Sequence, residues 1–208
     1  MSPSDQELEV KFYLADQPTL KARLEALGAR LVQPRVHETN LRFDTPDGEL
    51  TRTFQALRLR QDTQARVTYK GPSQTQDGVR LRQEFEFTVS DFATAKSLFE
   101  ALGYHVSVMY EKYRATYALG ETLVTLDEMP YGNFAEIEGP DGESIHAASE
   151  RLGLDWERRI LDSYLVLFDR VCAVLGLTFR DLSFENFEGV RVTQDDLGVR
   201  VADDKATG

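Results

Sequence analysis

The sequence predicts an α+β domain: eight antiparallel strands closing into a β-barrel, with helices on its outside. Three observations predict it. Strand-like segments carry charged residues at i and i+2, beginning with Glu7-Leu8-Glu9-Val10-Lys11. Helical segments ending in Leu-Gly follow two of these segments, at Leu27-Gly28 and Leu102-Gly103. The whole pattern of strand, helix and three more strands occurs twice. Four strands plus four are enough to close a barrel with room inside, and the repetition predicts a pseudo-two-fold axis.

Each element has a local cause. Residues 5–14 alternate, so Glu7, Glu9 and Lys11 share one strand face and Leu8, Val10 and Phe12 the other. Asp16 offers an N-cap, Pro18 suits a first turn, Leu20, Leu24 and Leu27 follow at helical spacing, and Gly28 supplies the stop. A strand over about 30–44 ends at the turn Thr45-Pro46-Asp47-Gly48. Strands follow near 54–62, 65–71 and 79–89, with Gly71-Pro72 and Asp77-Gly78 bracketing the loop between the last two. Ser90 and Asp91 open the second helix, with Phe92, Ala95, Phe99 and Leu102 on one face and Gly103 at its end. Strands 105–119, 121–129 and 133–139 are separated by Leu119-Gly120-Glu121 and Pro130-Tyr131-Gly132, and residues 141–153 and 162–176 read as helices. The domain is expected to span 1–176. Residues 177–208, polar and Asp-rich from Gly189, are expected to be a C-terminal extension, either a lid or a disordered tail.

Composition narrows the function. A net charge of -11 argues against a nucleic-acid partner, although an acidic exterior can enclose a basic pocket for a small polyanion. The single cysteine, Cys172, excludes an intramolecular disulfide and reads as a buried core thiol. His37, His105 and His146 are too scattered for a zinc site. With no signal peptide and no apolar run of membrane-spanning length, the expectation is a cytoplasmic protein without a membrane partner.

Period two does not say which face of a strand points inward. Two observations favour a charged interior. The amphipathic helices need an apolar surface to cover. Strand 79–89 offers them Val79, Leu81, Phe85 and Phe87, leaving Arg80, Arg82, Glu84 and Glu86 for the lumen. The opposite orientation, an apolar-ligand barrel, stays open on pattern alone. Confined charges are costly unless opposed. Carboxylates suit a hard divalent ion, and lysine and arginine suit phosphate oxygens, so a lumen with both would fit a metal–polyphosphate complex.

These residues resemble the CYTH family, the triphosphate tunnel metalloenzymes. Glu7-Leu8-Glu9-Val10-Lys11 matches the family's ExExK signature. Arg58-Leu59-Arg60, Thr68-Tyr69-Lys70, Glu84-Phe85-Glu86, Lys112-Tyr113-Arg114, Leu126-Asp127 and Glu136-Ile137-Glu138 follow in the family's order, so the resemblance covers roughly residues 5–175. It implies a tunnel with inward charges and an Mg2+ or Mn2+ cofactor. Glu7, Glu9, Glu136 and Glu138 then look like metal ligands from the first and last strands, meeting across the barrel seam. Lys11, Arg58, Arg60, Lys70, Lys112 and Arg114 look like phosphate binders. Lys11 also counts among the catalytic residues, with Glu84, Glu86 and Asp127, which would hold a second metal or position the attacking water. Arg66, Arg80 and Arg82 lie in phase with these, and Arg82 is taken as a further phosphate contact. Arg42 departs from the pattern, standing where the family usually has tyrosine. It either adds a charge to the tunnel or turns to the rim. Trp156 falls outside the barrel strands, which counts against thiazole or purine stacking.

The implied function is a metal-dependent triphosphate hydrolase acting on inorganic tripolyphosphate or a nucleoside triphosphate. The alternatives are an adenylyl cyclase making cyclic AMP and pyrophosphate, and a non-catalytic polyphosphate or nucleotide binder. The partner is a small triphosphate. The resemblance leaves room for a homodimer, although no segment marks an interface.

Overall fold

The computed structural model describes residues 6–76 and 78–204. Its strands are β1 (Gln6–Leu14), β2 (Arg30–Asp44), β3 (Ala56–Gln61), β4 (Ala65–Gln76), β5 (Val79–Val89), β6 (His105–Leu119), β7 (Thr122–Met129) and β8 (Gly132–Glu138). The helices are α1 (Gln17–Ala26), α2 (Glu49–Arg52), α3 (Phe92–Ala101), α4 (Gly142–Arg151), α5 (Tyr164–Leu175) and α6 (Gln194–Leu197). All strand pairings are antiparallel. Their order is β1-β5-β4-β3-β2-β6-β7-β8, and β8 pairs back onto β1 to complete the ring. Closure leaves no open strand edge.

Exchanging each strand for the one four places later maps this ring onto itself, with β1–β5 and β2–β6 as the self-related pairs. The crossover helices repeat as well. Asp16 caps α1 by accepting from Thr19 N at 3.0 Å, and Asp91 caps α3 by accepting from Thr94 N at 2.7 Å. Both helices end on a leucine at φ -80, followed by a glycine with positive φ, Gly28 at 75 and Gly103 at 92. Only glycine takes that conformation without strain.

The helices lie outside, over apolar strand faces, but they do not cover the outer end of β5 as expected: Phe85 and Phe87 stay 45% and 59% exposed, because the α3 cluster is built on Phe43, Leu59 and Val67 instead. Leu20 and Leu24 of α1 join Val10, Phe12, Val124 and Ile137 in one cluster. Ala95 and Phe99 of α3 pack on Phe43, Leu59 and Val67 in another. The expected third and fourth positions of the helical faces do not join: Leu27 is 37% and Leu102 64% exposed, because both are C-caps beyond the buried stripe.

Three local expectations change. No loop separates β4 from residue 76, because β4 runs through Gly71-Pro72. A register shift between Lys70 and Ser73 absorbs a proline that has no amide to donate. Asp77, read as part of that turn, lies outside the described residues, as does Asp5. The short α2 was not anticipated. Asp44 holds it, accepting from Leu50 N at 2.8 Å, Thr51 N at 3.0 Å and Thr51 Oγ1 at 2.6 Å. Cys172 is half-buried rather than enclosed, lying beside the cluster under α5.

Residues 177–204, read as a lid or disordered tail, pack on the barrel. Leu182 and Leu197 are fully buried, and Phe187 joins Phe168, Tyr131 and Phe179 in an aromatic cluster. Leu182 bonds to the β6 backbone at Met109 O and Glu111 N. Ala202 N donates to Tyr13 O, and the Asp203 carboxylate accepts from Ala15 N and Asp16 N. The apolar residues are spaced irregularly among polar ones, so no helical or strand period announces the segment. Among the described residues no helix is long and apolar enough to cross a membrane.

Candidate functional site: a charged lumen

The lumen is a cavity of 410 Å³ whose wall includes Glu7, Glu9 and Lys11 of β1, Arg58 and Arg60 of β3, and Lys70 of β4. Arg80, Arg82, Glu84 and Glu86 of β5, Lys112 and Arg114 of β6, and Glu136 and Glu138 of β8 complete the charged set, together with Arg42. The charged faces therefore point inward and the apolar-ligand orientation is excluded. Nine cationic side chains line the cavity against six carboxylates. Glu38 and Asp127, packed behind the wall, reduce that surplus to one.

At the seam, Glu9 stands directly opposite Glu138 and Lys11 opposite Glu136. Lys11 Nζ lies 2.9 Å from Glu136 Oε1, and Arg114 bonds to both Glu136 and Asp127. Lys70 bridges Glu7 at 2.5 Å and Glu84 at 2.7 Å, and Arg80 pairs with Glu9. Arg60 reaches Glu86 at 3.1 Å, and Thr68 Oγ1 donates to the same carboxylate at 2.8 Å. Of the in-phase extras, Arg80 and Arg82 line the cavity, whereas Arg66 is committed to Asp62 at 2.6 Å.

Asp127 is fully enclosed and does not line the cavity. Its oxygens accept from Lys112 at 3.1 Å, from Arg114, and from the Tyr164 hydroxyl at 2.7 Å. Tyr164 was not anticipated as part of the site. It opens α5 after the Ser163 cap and enters the lumen wall, with its ring centroid 4.3 Å from Lys11 Nζ and 5.3 Å from Lys112 Nζ. Nothing local in the sequence marks it. Tyr110, whose hydroxyl accepts from Arg58 at 3.4 Å, could have been found, because it stands two residues before Lys112 on the same face of β6.

Confinement shifts the acids in different directions. Burial alone would raise Glu136, but Lys11 and Arg114 pull it well below the usual carboxylate range. Burial would raise Glu7 too, yet Lys70 and a hydrogen bond from Glu84 bring it down to about 2. Burial pushes Glu84 up to about 7 against the pull of Lys70, and Glu7 adds to the rise. Glu84 is therefore the proton-holding member of that pair. Because its folded-state pKa lies above the unfolded value, its stabilising contribution is complete below about pH 4.5 and is lost as pH rises through about 7. The melting temperature of ligand-free protein should accordingly fall between about pH 5 and pH 8. In Glu84→Gln that slope should flatten by at least half, and an unchanged slope in calorimetry at matched ionic strength would remove Glu84 as its source.

The donor set fits a hard divalent ion in its chemistry. Glu7, Glu9, Glu136 and Glu138 are all oxygen donors on adjoining strands. Glu138 is raised by burial and by the charge of Glu7, so it lies in a field that a cation would relieve. Among the described residues no three such side chains converge on one point as they stand. Glu7, Glu9 and Glu136 are each held by a lysine or arginine, so metal binding requires these internal pairs to exchange partners.

A closed ring of strands around such a lumen defines a charged-tunnel protein. Residues 5–159 match the CYTH domain, and the chain belongs to that family. The match ends before α5, so Tyr164 and residues 177–204 lie beyond it. Among solved structures the chain is similar to a presumed adenylate cyclase of Vibrio parahaemolyticus, at 22% identity and TM-score 0.71 over 78% of this chain and 97% of that one. It is similar to a Pyrococcus horikoshii OT3 protein at 26% identity and TM-score 0.64, over 77% and 98%. A presumed adenylyl cyclase of Hippeastrum, described as revealing a dominant triphosphatase activity, aligns at 20% identity and TM-score 0.58 over 78% and 95%. No curated protein matches the chain.

Proposed function

We propose that this chain is a divalent-metal-dependent triphosphatase acting on a small triphosphate, with inorganic tripolyphosphate ahead of nucleoside triphosphates. The observation that carries this is the lining of the lumen: nine cations and six carboxylates among the described residues, with the Tyr164 ring already taken by Lys11 and Lys112. The aromatic residues in the wall are Tyr110 and Tyr164. The first holds Arg58, and the second holds Asp127 and both lysines.

When bound at Glu7, Glu9, Glu136 and Glu138, Mg2+ or Mn2+ would draw charge from the phosphoryl oxygens and keep several waters. Lys11, Arg58, Arg60 and Lys70 exchange their carboxylate partners for phosphate oxygens, Lys112 and Arg114 offer their remaining donors while staying on Asp127, and together they stabilise the charge that gathers on the phosphoryl oxygens in the transition state. Asp127 and Tyr164 hold Lys112 and Arg114 in place. Glu84, at about 7, is poised to take a proton from the attacking water. The water oxygen bonds to a terminal phosphorus, the P–O–P bridge breaks, and tripolyphosphate gives orthophosphate and pyrophosphate.

Purified protein incubated with tripolyphosphate or ATP and Mg2+ or Mn2+ should release orthophosphate and make no cyclic AMP. Cyclic AMP with pyrophosphate would assign a cyclase instead. Tight binding without turnover under either metal would assign a non-catalytic binder.

A further inference from the structure

Charge compensation in the lumen is uneven. Glu7, Glu9, Glu84 and Glu136 each sit against a lysine or arginine. Arg42 has no such partner. Among the described residues its guanidinium enters no ion pair or hydrogen bond, and its Nε is buried without an acceptor. The nearest acid on its own strand, Asp44, is committed to the backbone of Thr45, Leu50 and Thr51. Arg42 stands directly opposite Arg58 on the paired strand β3. Arg82 enters the same cavity and is held by the carbonyls of Phe54 and Gly71, not by a carboxylate. Ala56, the first residue of β3, lines the wall beside them with a side chain too small to fill the space.

Like charges opposite one another on paired strands repel, and a buried cation without a counter-ion is costly. Arg42 lies two residues from the end of β2 and Ala56 begins β3, so the group sits at the mouth beside α2. An anion entering there removes the repulsion and gives each guanidinium fork two oxygens to bind. Acting on the triphosphate reading above, we propose that Arg42, with Arg58 and Arg82, is an anion subsite holding the outermost phosphoryl group of a bound polyphosphate chain.

The test uses the full chain, inorganic tripolyphosphate and pyrophosphate, with calorimetric titration and thermal melts. Arg42→Met should weaken tripolyphosphate binding roughly tenfold to a hundredfold, the effect of losing a charge-assisted fork. Pyrophosphate, one phosphoryl group shorter, should lose less. Without ligand, Arg42→Met should melt at or above wild type, since an unpaired, half-buried charge with an enclosed Nε has gone, while its ligand-induced rise shrinks. Arg42→Lys, which restores the charge without the fork, should recover only part of the affinity. Tripolyphosphate affinity of Arg42→Met within about twofold of wild type would overturn the subsite. A ligand-free melt well below wild type would also overturn it, making Arg42 a structural residue. If wild type itself shows no tripolyphosphate-induced rise, the triphosphate reading falls and the subsite with it. Wild-type binding with an unaffected Arg42→Met removes the subsite alone.

Discussion

Lys11→Met should lower kcat/KM for the triphosphate substrate by roughly 10²–10³-fold, the loss expected when one preorganised donor is removed from a phosphoryl-transfer site. Lys11 is 2% exposed, lies on the cavity wall and is steered by Glu136 at 2.9 Å and by the Tyr164 ring. Methionine keeps the stem volume and removes only the ammonium, so the fold should persist. Glu9→Gln, which removes a charge from the same strand, should act through metal affinity and be partly rescued by excess Mg2+ or Mn2+. Steady-state kinetics across a metal titration separates the two. Near-wild-type turnover of both variants at saturating metal would refute the assignment of this strand to the site.

Asp127→Ala should have the largest effect on stability. Its carboxylate is fully enclosed and takes Lys112, Arg114 and the Tyr164 hydroxyl together. Removing it leaves Arg114 with Glu136 alone and Lys112 with only Glu38 at 3.7 Å, a loss of charge compensation in an enclosed site that should cost about 3–5 kcal/mol. For a chain of this length that is roughly 10 °C in melting temperature. Asp127→Asn, which keeps the volume and one acceptor oxygen, should lose less stability yet still release Lys112 and Arg114, so kcat should fall more than stability. If Asp127→Ala melted within about 2 °C of wild type, the enclosed triad would not be the anchor described here.

Much of the fold is legible in the residues themselves. The alternation in Glu7–Lys11, the Asp16 and Asp91 caps, and the Leu-Gly stops at residues 28 and 103 are local signals, and the corresponding elements form within a residue or two of their expected bounds. The site is legible to the extent that its residues share a strand face. Glu136 and Glu138 do meet Lys11 and Glu9 across the seam. Asp127 reads from the sequence like its neighbours in phase, but it is enclosed by a tyrosine from a helix 37 residues further on. Tyr164 has no periodic relation to the barrel at all. The 177–204 segment is polar in composition, and its few apolar anchors become visible only when Leu182 and Leu197 meet surfaces formed elsewhere in the chain.

The sequence by itself determined the eight strands, their two crossover helices, the repeat that relates them and the charged pairs they carry. These depend on near neighbours in the chain: capping, turn chemistry and a period of two or 3.6 residues. The tertiary structure decided which face of each strand became the lumen, which carboxylate met which cation, and that among the described residues Arg42 met none. A strand has two faces by local geometry. Which one is inside is fixed only when β8 closes on β1 and the helices cover much of the apolar outer surface.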